Sequence, residues 1–283
     1  MIVVVGAVSI DLIAVREKFL DGTSNPSDIR LGLGGVGWRV FSSLDAPRRF
    51  ITALARDPIS LYARQAMREL GGIAIQEISD REARPPLYLA LMESGSLKVA
   101  ASDFRIIERS LDLGFVRRHA GRLSREDFLV LDANLSQTLV ASLVDLYAGA
   151  TRVVFEPVSV EKAARHAASL RDIFLMTPTV EEVDAVAPGG GAAVVRFMRE
   201  RRIANIVVTR GKEGLSLYDN SGAADGGRVD HAPIRVADTG DTTGAGDLLL
   251  ASLLSRLHAG APMGKAVRAA MDTVEDCLQE GSR

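Results

Sequence analysis

The sequence predicts an α/β fold: a mostly parallel sheet flanked by helices, with a small β-sheet lid. Three observations predict it. Short apolar runs recur, each ending in polar or glycine residues: IVVVGAV at 2–8, FLVLDANL at 128–135, RVVFEPV at 152–158, IFLMTP at 173–178 and NIVVTRG at 205–211. Helical stretches separate the runs of the second half. The alternation breaks at a turn-rich region (12–33) and at two alternating runs (86–92 and 96–101), which read as strands of a separate small sheet.

The totals agree with one large domain. The chain has 283 residues, 47% hydrophobic and 25% charged, as in an ordinary globular protein. A formal net charge of -2 gives no electrostatic reason to expect nucleic acid or an anionic membrane surface. The single cysteine, Cys277, excludes an internal disulfide and a Cys-based zinc cluster. His119, His166, His231 and His258 have no ligand spacing. The N-terminal apolar run is short, follows no basic segment and leads to an aspartate, so it reads as a strand rather than a secretory signal. No apolar stretch reaches bilayer length, and a cytoplasmic location is the expectation.

In chain order, residues 2–8 read as a buried parallel-type strand. Asp11 sits just past it, where open α/β sheets bind their ligands; alone, it could equally be a turn or capping acid. LIAVREKF then reads as extended, and Asp21 to Pro26 as a turn. Gly32 to Gly37 spells G-x-G-x-x-G, but no apolar strand runs directly into it, which argues against a dinucleotide site. Residues 49–55 and 73–78 are strand-like, with an amphipathic helix at about 58–70 that ends at Gly71-Gly72. Glu93-Ser94-Gly95-Ser96 is a hairpin signal joining the two alternating runs. A lid built from these segments would exclude water from whatever it covers. In the second half, the run ends bring Asp132, Asn134, Glu156 and Thr177 to one sheet edge. Gly189 to Gly191 reads as a loop, and Ser221 to Gly227 as a polar turn before a last strand-like stretch at 229–236. With no repeat, low-complexity block or linker, the expectation is one domain over 1–283, with lid segments at about 12–33 and 84–102 inserted.

The stretch with most chemistry is Asp241-Thr242-Thr243-Gly244-Ala245-Gly246-Asp247, followed by the apolar helix-like run LLLASLL. A helix begun this way aims free N–H groups and the positive end of its dipole at an anion. Asp247, in the first turn, would stand beside that anion as a base for a hydroxyl.

DTTGAGD closely resembles the C-terminal signature of the PfkB (ribokinase-like) carbohydrate and nucleoside kinases. The resemblance extends in order over nearly the whole chain. GAVSID, at the end of the first run, is similar to the family's sugar-binding aspartate segment, and Gly34-Gly35 to its double glycine. Thr209-Arg210-Gly211-Lys212-Glu213-Gly214 resembles its nucleotide loop, and Thr177 to Glu182 its Asn-x-x-Glu element, with Thr179 in place of the asparagine. Within the family the chain leans towards pseudouridine kinases, through Ser24-Asn25-Pro26, Gly34-Gly35-Val36-Gly37, Asp132-Ala133-Asn134-Leu135 and Glu156-Pro157-Val158-Ser159 with Lys162-Ala163.

The resemblance implies a ribokinase-like three-layer α/β/α fold and transfer of the γ-phosphoryl group of ATP to a primary hydroxyl, with pseudouridine as first candidate acceptor. Asp11, Gly34, Gly35, Asn25 and Asn134 would hold the acceptor. Asp247 would be the base, with Gly244, Ala245 and Gly246 as the anion hole. Thr209, Gly211, Gly214 and Thr243 would hold ATP, and Glu182 would organise Mg²⁺. A monovalent cation and a homodimer formed through the lid are implied as well. Arg39 stands where the family has a sugar-holding asparagine. It could fill the pocket, pair with Asp11, or receive an anionic group of the substrate. The alternatives are a kinase for another sugar or nucleoside, and a ligand-binding regulator that kept the fold without turnover.

Overall fold

The computed structural model describes residues 1–220, 227–231 and 244–280. Thirteen strands occur among the described residues: β1 Ile2–Val5, β2 Ser9–Arg16, β3 Asp28–Gly34, β4 Arg48–Ala55, β5 Ile73–Ile78, β6 Leu87–Glu93, β7 Ser96–Asp103, β8 Phe128–Asp132, β9 Arg152–Glu156, β10 Leu175–Met176, β11 Asn205–Thr209, β12 Leu215–Asp219 and β13 Gly227–His231. The α-helices are α1 Val36–Ser43, α2 Pro58–Met67, α3 Arg105–Ser110, α4 Leu113–Ala120, α5 Gln137–Tyr147, α6 Val160–His166, α7 Val180–Val186, α8 Gly191–Arg201, α9 Ala245–His258 and α10 Met263–Glu280.

Nine strands form one sheet in the order β13-β12-β11-β10-β9-β8-β1-β4-β5. Pairings from β5 to β11 are parallel, and β12 and β13 add an antiparallel edge. Successive residues of a strand point to opposite faces. Val3, Val5, Ile51, Leu129 and Leu131 therefore join one apolar cluster, with α3, α4, α5, α7 and α8. Ile2, Val4, Phe50, Phe128 and Val130 join the other, with α1, α2, α9 and α10. Burial on both faces is why these strands read as continuous apolar runs.

The lid is a four-stranded sheet in the order β3-β2-β6-β7. It starts three residues after β1, so it rises from the carboxyl edge of the main sheet. The β6–β7 turn has φ of 49° at Ser94 and 80° at Gly95, the left-handed pair that a two-residue hairpin needs.

Several expectations are corrected. Asp11 does lie past β1, but inside the lid strand β2, opposite Gly32 and Tyr88, rather than in a turn. A strand, β3, does run into Gly32–Gly37, and α1 follows; but β3 is an antiparallel lid strand, so the unit is not the βαβ of a dinucleotide site. β12 was not anticipated: a short turn at Gly211–Glu213 folds Leu215–Asp219 straight back onto β11. Gly191 opens α8 rather than closing a loop, and Gly227 begins β13. The rest of the expected polar turn (221–226) and the stretch 232–243 lie outside the described residues. Among the described residues, no helix is long and apolar enough to cross a membrane.

Candidate active site

The carboxyl ends of the strands, α1, the lid and the start of α9 converge. α9 begins at Gly244, whose φ of 85° is a left-handed conformation suited to glycine, and no side chain of the described residues caps its first turn. The N–H groups there are thus left for an anion. Leu250, Leu253 and Leu254 of α9 are fully buried beside α1 and α10, which fixes the helix.

Asp247 is the acidic residue of that first turn. Burial pushes its carboxyl up to about 7; the Arg39 charge opposes the shift and the Asp132 charge adds to it. A carboxyl in that range is poised to accept a proton near neutrality.

Asp11 is buried and accepts the Ser9 hydroxyl at 2.5 Å on Oδ1 and the Arg39 Nη2–H at 3.2 Å on Oδ2. Of the three readings of Arg39, pairing with Asp11 is the one the structure displays. Each oxygen keeps one lone-pair site for a hydroxyl. A Cβ at Gly34 would lie 1.9 Å from Asp11 Oδ2, so a larger residue there would displace the Asp11 carboxylate. Gly35, with φ 87°, would bring a Cβ to 2.7 Å from the Ala7 carbonyl oxygen.

Behind this pair, Asp132 accepts N–H groups of Ala7 (2.7 Å), Gly37 (3.1 Å) and Asn134 (3.0 Å). It thereby ties β8, the end of β1 and α1 together. Asn134 is buried, and its Oδ1 accepts the Lys162 ammonium at 2.5 Å. Next to Asp132 in register is Glu156. Burial, reinforced by the negative charges of Asp247, Glu182 and Asp132, raises its carboxyl well above the usual range. Its Oε2 is buried and has no hydrogen-bond partner among the described residues.

Glu182 and Thr179 form a reciprocal capping box at the start of α7: Thr179 N–H donates to Glu182 Oε2 at 2.8 Å, and Glu182 N–H to Thr179 Oγ1 at 3.2 Å. Thr209 bridges Thr179 across the sheet edge, so the loop carrying Gly211 (φ 55°) and Gly214 (φ 87°) adjoins Glu182.

The structure brings Asp11, Gly34, Gly35, Arg39, Gly244 and Asp247 together. Asn25 is engaged elsewhere. Its amide donates to the Leu20 and Thr23 carbonyls, and its Oδ1 accepts from Leu20 N–H and from Arg16 of β2, so its polar atoms tie its own turn to the lid. Thr243 lies outside the described residues. Asp132, Glu156 and Lys162 were not singled out as site residues. Their signals were present, in run ends on the sheet edge and in the Ser159–Lys162 segment, where Ser159 caps α6.

The sequence profile of the pfkB family of carbohydrate kinases matches residues 1–273. A pseudouridine kinase of Escherichia coli is 25% identical over 278 residues, covering 94% of this chain and 87% of that protein. Ribokinase from Thermotoga maritima superposes with a TM-score of 0.80 at 18% identity, covering 98% of this chain and 92% of that one. A sugar kinase of Pyrococcus horikoshii, solved in complex with ATP, gives 0.75 at 17% identity, with 99% and 92% covered. This chain belongs to the pfkB family of carbohydrate kinases: it is a phosphotransferase with an alcohol acceptor, built on the ribokinase-like fold.

Proposed function

We propose that the chain transfers the γ-phosphoryl group of ATP to a primary hydroxyl of a ribosyl compound, with pseudouridine as the first acceptor to test. The observation that carries this reading is the juxtaposition of Asp11, an acceptor of hydroxyl hydrogen bonds, with Asp247 in the first turn of α9, the two linked by Arg39. The E. coli relative supports the choice of acceptor.

In this reading Asp11 holds sugar hydroxyls against the bare backbone of Gly34 and Gly35. Asp247 takes the proton of the attacking hydroxyl. N–H groups at Gly244, Ala245 and Gly246 offset charge on the transferring phosphoryl. Asn134 orders the pocket through Lys162. Asn25 shapes the lid turn rather than touching the acceptor. Thr209, Gly211 and Gly214 receive the ATP phosphates.

Glu182 and Glu156 fit a Mg²⁺ site. Glu156 carries a buried, unpartnered oxygen amid like charges, which a cation would relieve. A third His, Cys, Asp or Glu does not join them among the described residues. That suits a metal held largely through water and phosphate. When bound, Mg²⁺ would neutralise phosphate charge.

The lid is proposed to pair with a second copy. Register puts Leu31, Leu12 and Leu89 in one row and Ile29, Ala14, Leu91 and Val99 in the next, all on the lid face opposite Asp11.

The experiment is ADP release with Mg-ATP and pseudouridine, uridine, ribose, fructose or no acceptor. Turnover selective for pseudouridine is the expected outcome. Turnover only with another acceptor keeps the kinase and discards pseudouridine. ATP binding with no turnover on any of them favours the regulator.

A further inference from the structure

Arg39 carries five N–H donors, yet among the described residues it donates a single hydrogen bond, to Asp11. Its side chain is only 27% exposed, so most of its donors are turned from bulk water with no further acceptor among the described residues. The position is unusual in a second way. A Cβ on Gly244 would lie 3.1 Å from Arg39 Nη1, so the guanidinium rests against the N-terminal cap of α9. A cation is unfavourable at the positive end of a helix dipole. Here a guanidinium and a helix start face each other, an arrangement that an anion between them would relieve. The same Gly244 Cβ position is 3.9 Å from Asp247 Oδ2, so the base sits there too.

Building on the kinase reading above, we propose that Arg39 is a further catalytic residue: held at one end by Asp11, it contacts the oxygens of the transferring phosphoryl group together with the N–H groups of α9. One ion pair then joins the acceptor's anchor to the phosphoryl's clamp. An asparagine at this position would offer a neutral donor and no such charge. The proton still passes from the acceptor hydroxyl to Asp247, the O–P bond forms at that oxygen, and ADP leaves with the electrons of the broken bond. Arg39 adds positive charge to this step and exchanges no proton.

The test compares wild type with Arg39→Asn and Arg39→Lys in two assays. The first is steady-state turnover with Mg-ATP and the best acceptor found. The second is calorimetric binding of Mg-ATP and of Mg-ADP with aluminium fluoride, a mimic of the phosphoryl group in transit. Arg39→Asn is expected to lose about 10²-fold in kcat, the scale of one lost oxyanion donor, with acceptor KM nearly unchanged. Arg39→Lys is expected to recover part of the loss. The aluminium fluoride complex should weaken about 10²-fold in Arg39→Asn while Mg-ATP weakens only a few-fold. A rise in acceptor KM at unchanged kcat, a gain of activity with neutral acceptors, or equal affinity of wild type and variant for the mimic would overturn the proposal. If wild type turns over no acceptor, the kinase reading fails, and the aluminium fluoride comparison still decides the role of Arg39.

Discussion

Asp247 owes its raised pKa chiefly to burial, and charges of both signs adjust it. Arg39 on α1 faces it with a positive charge; Asp132 at the end of β8 faces it with a negative one. Burial is the largest cause, and it favours the protonated acid. The base has to be the carboxylate, so kcat should rise tenfold per pH unit up to about 7 and level off above it. Arg39→Asn removes the charge that holds this pKa down, so the limb should move to higher pH. Asp247→Asn should abolish the limb and cost about 10²- to 10⁴-fold in turnover. A pH–rate profile of the three proteins checks all of this, and near-normal turnover of Asp247→Asn would remove the residue from its role. At this scale the sequence was most legible where motif and backbone demand coincide. Gly34, Gly35, Gly244 and Asp247, singled out by motif, lie together in the structure, and a Cβ at Gly34 or Gly35 would meet Asp11 or the Ala7 carbonyl. Asn25 was the weak point. A motif shows that a residue matters, and only geometry shows that its amide serves its own turn.

The start of α7 carries two jobs in one pair of side chains. Thr179 and Glu182 cap each other, which stabilises the helix, and Glu182 is also the proposed magnesium acid. The two jobs separate by mutation. Thr179→Ala removes the hydroxyl cap and should cost about 1 kcal/mol in denaturant unfolding. Glu182→Gln keeps the backward reach of a capping box, so stability should hold while the Mg²⁺ concentration for half-maximal rate rises. Equal loss of stability in both variants, with unchanged Mg²⁺ dependence, would leave Glu182 a cap alone. Elements whose residues carry a local signal were readable: the two-residue hairpin at Ser94-Gly95 and the helix closed by Gly71-Gly72. β12 was not. It is five residues long and sits at an antiparallel edge of an otherwise parallel sheet. Its pairing is set by the turn at Gly211–Glu213 rather than by its own composition.

For the whole molecule, apolar periodicity was enough to reveal an α/β sheet, because strands buried on both faces advertise themselves. The strand order was not available from periodicity; it depends on which crossovers the helices make. The lid differs again, because one of its faces carries several exposed apolar side chains among the described residues. Ile29 is 67% exposed, Leu31 52%, Leu89 48% and Val99 54%, and the register sets them on one face of the four-stranded sheet. A contiguous apolar sheet face with the open edge strands β3 and β7 invites a second sheet. Two copies of the same lid, packed face to face, would cover both and brace the β2 strand that carries Asp11. Light scattering after size exclusion should therefore give twice the 30.3 kDa chain mass. The double variant Leu31→Glu and Val99→Glu puts like charges on that face and should elute as a monomer. Its main-sheet core is untouched, so it should remain folded by circular dichroism. If the dimer braces the acceptor anchor, the monomer should show a raised acceptor KM with little change in the KM for ATP. A wild-type chain that is monomeric at assay concentration, or a variant that stays dimeric, would place the interface elsewhere or remove it.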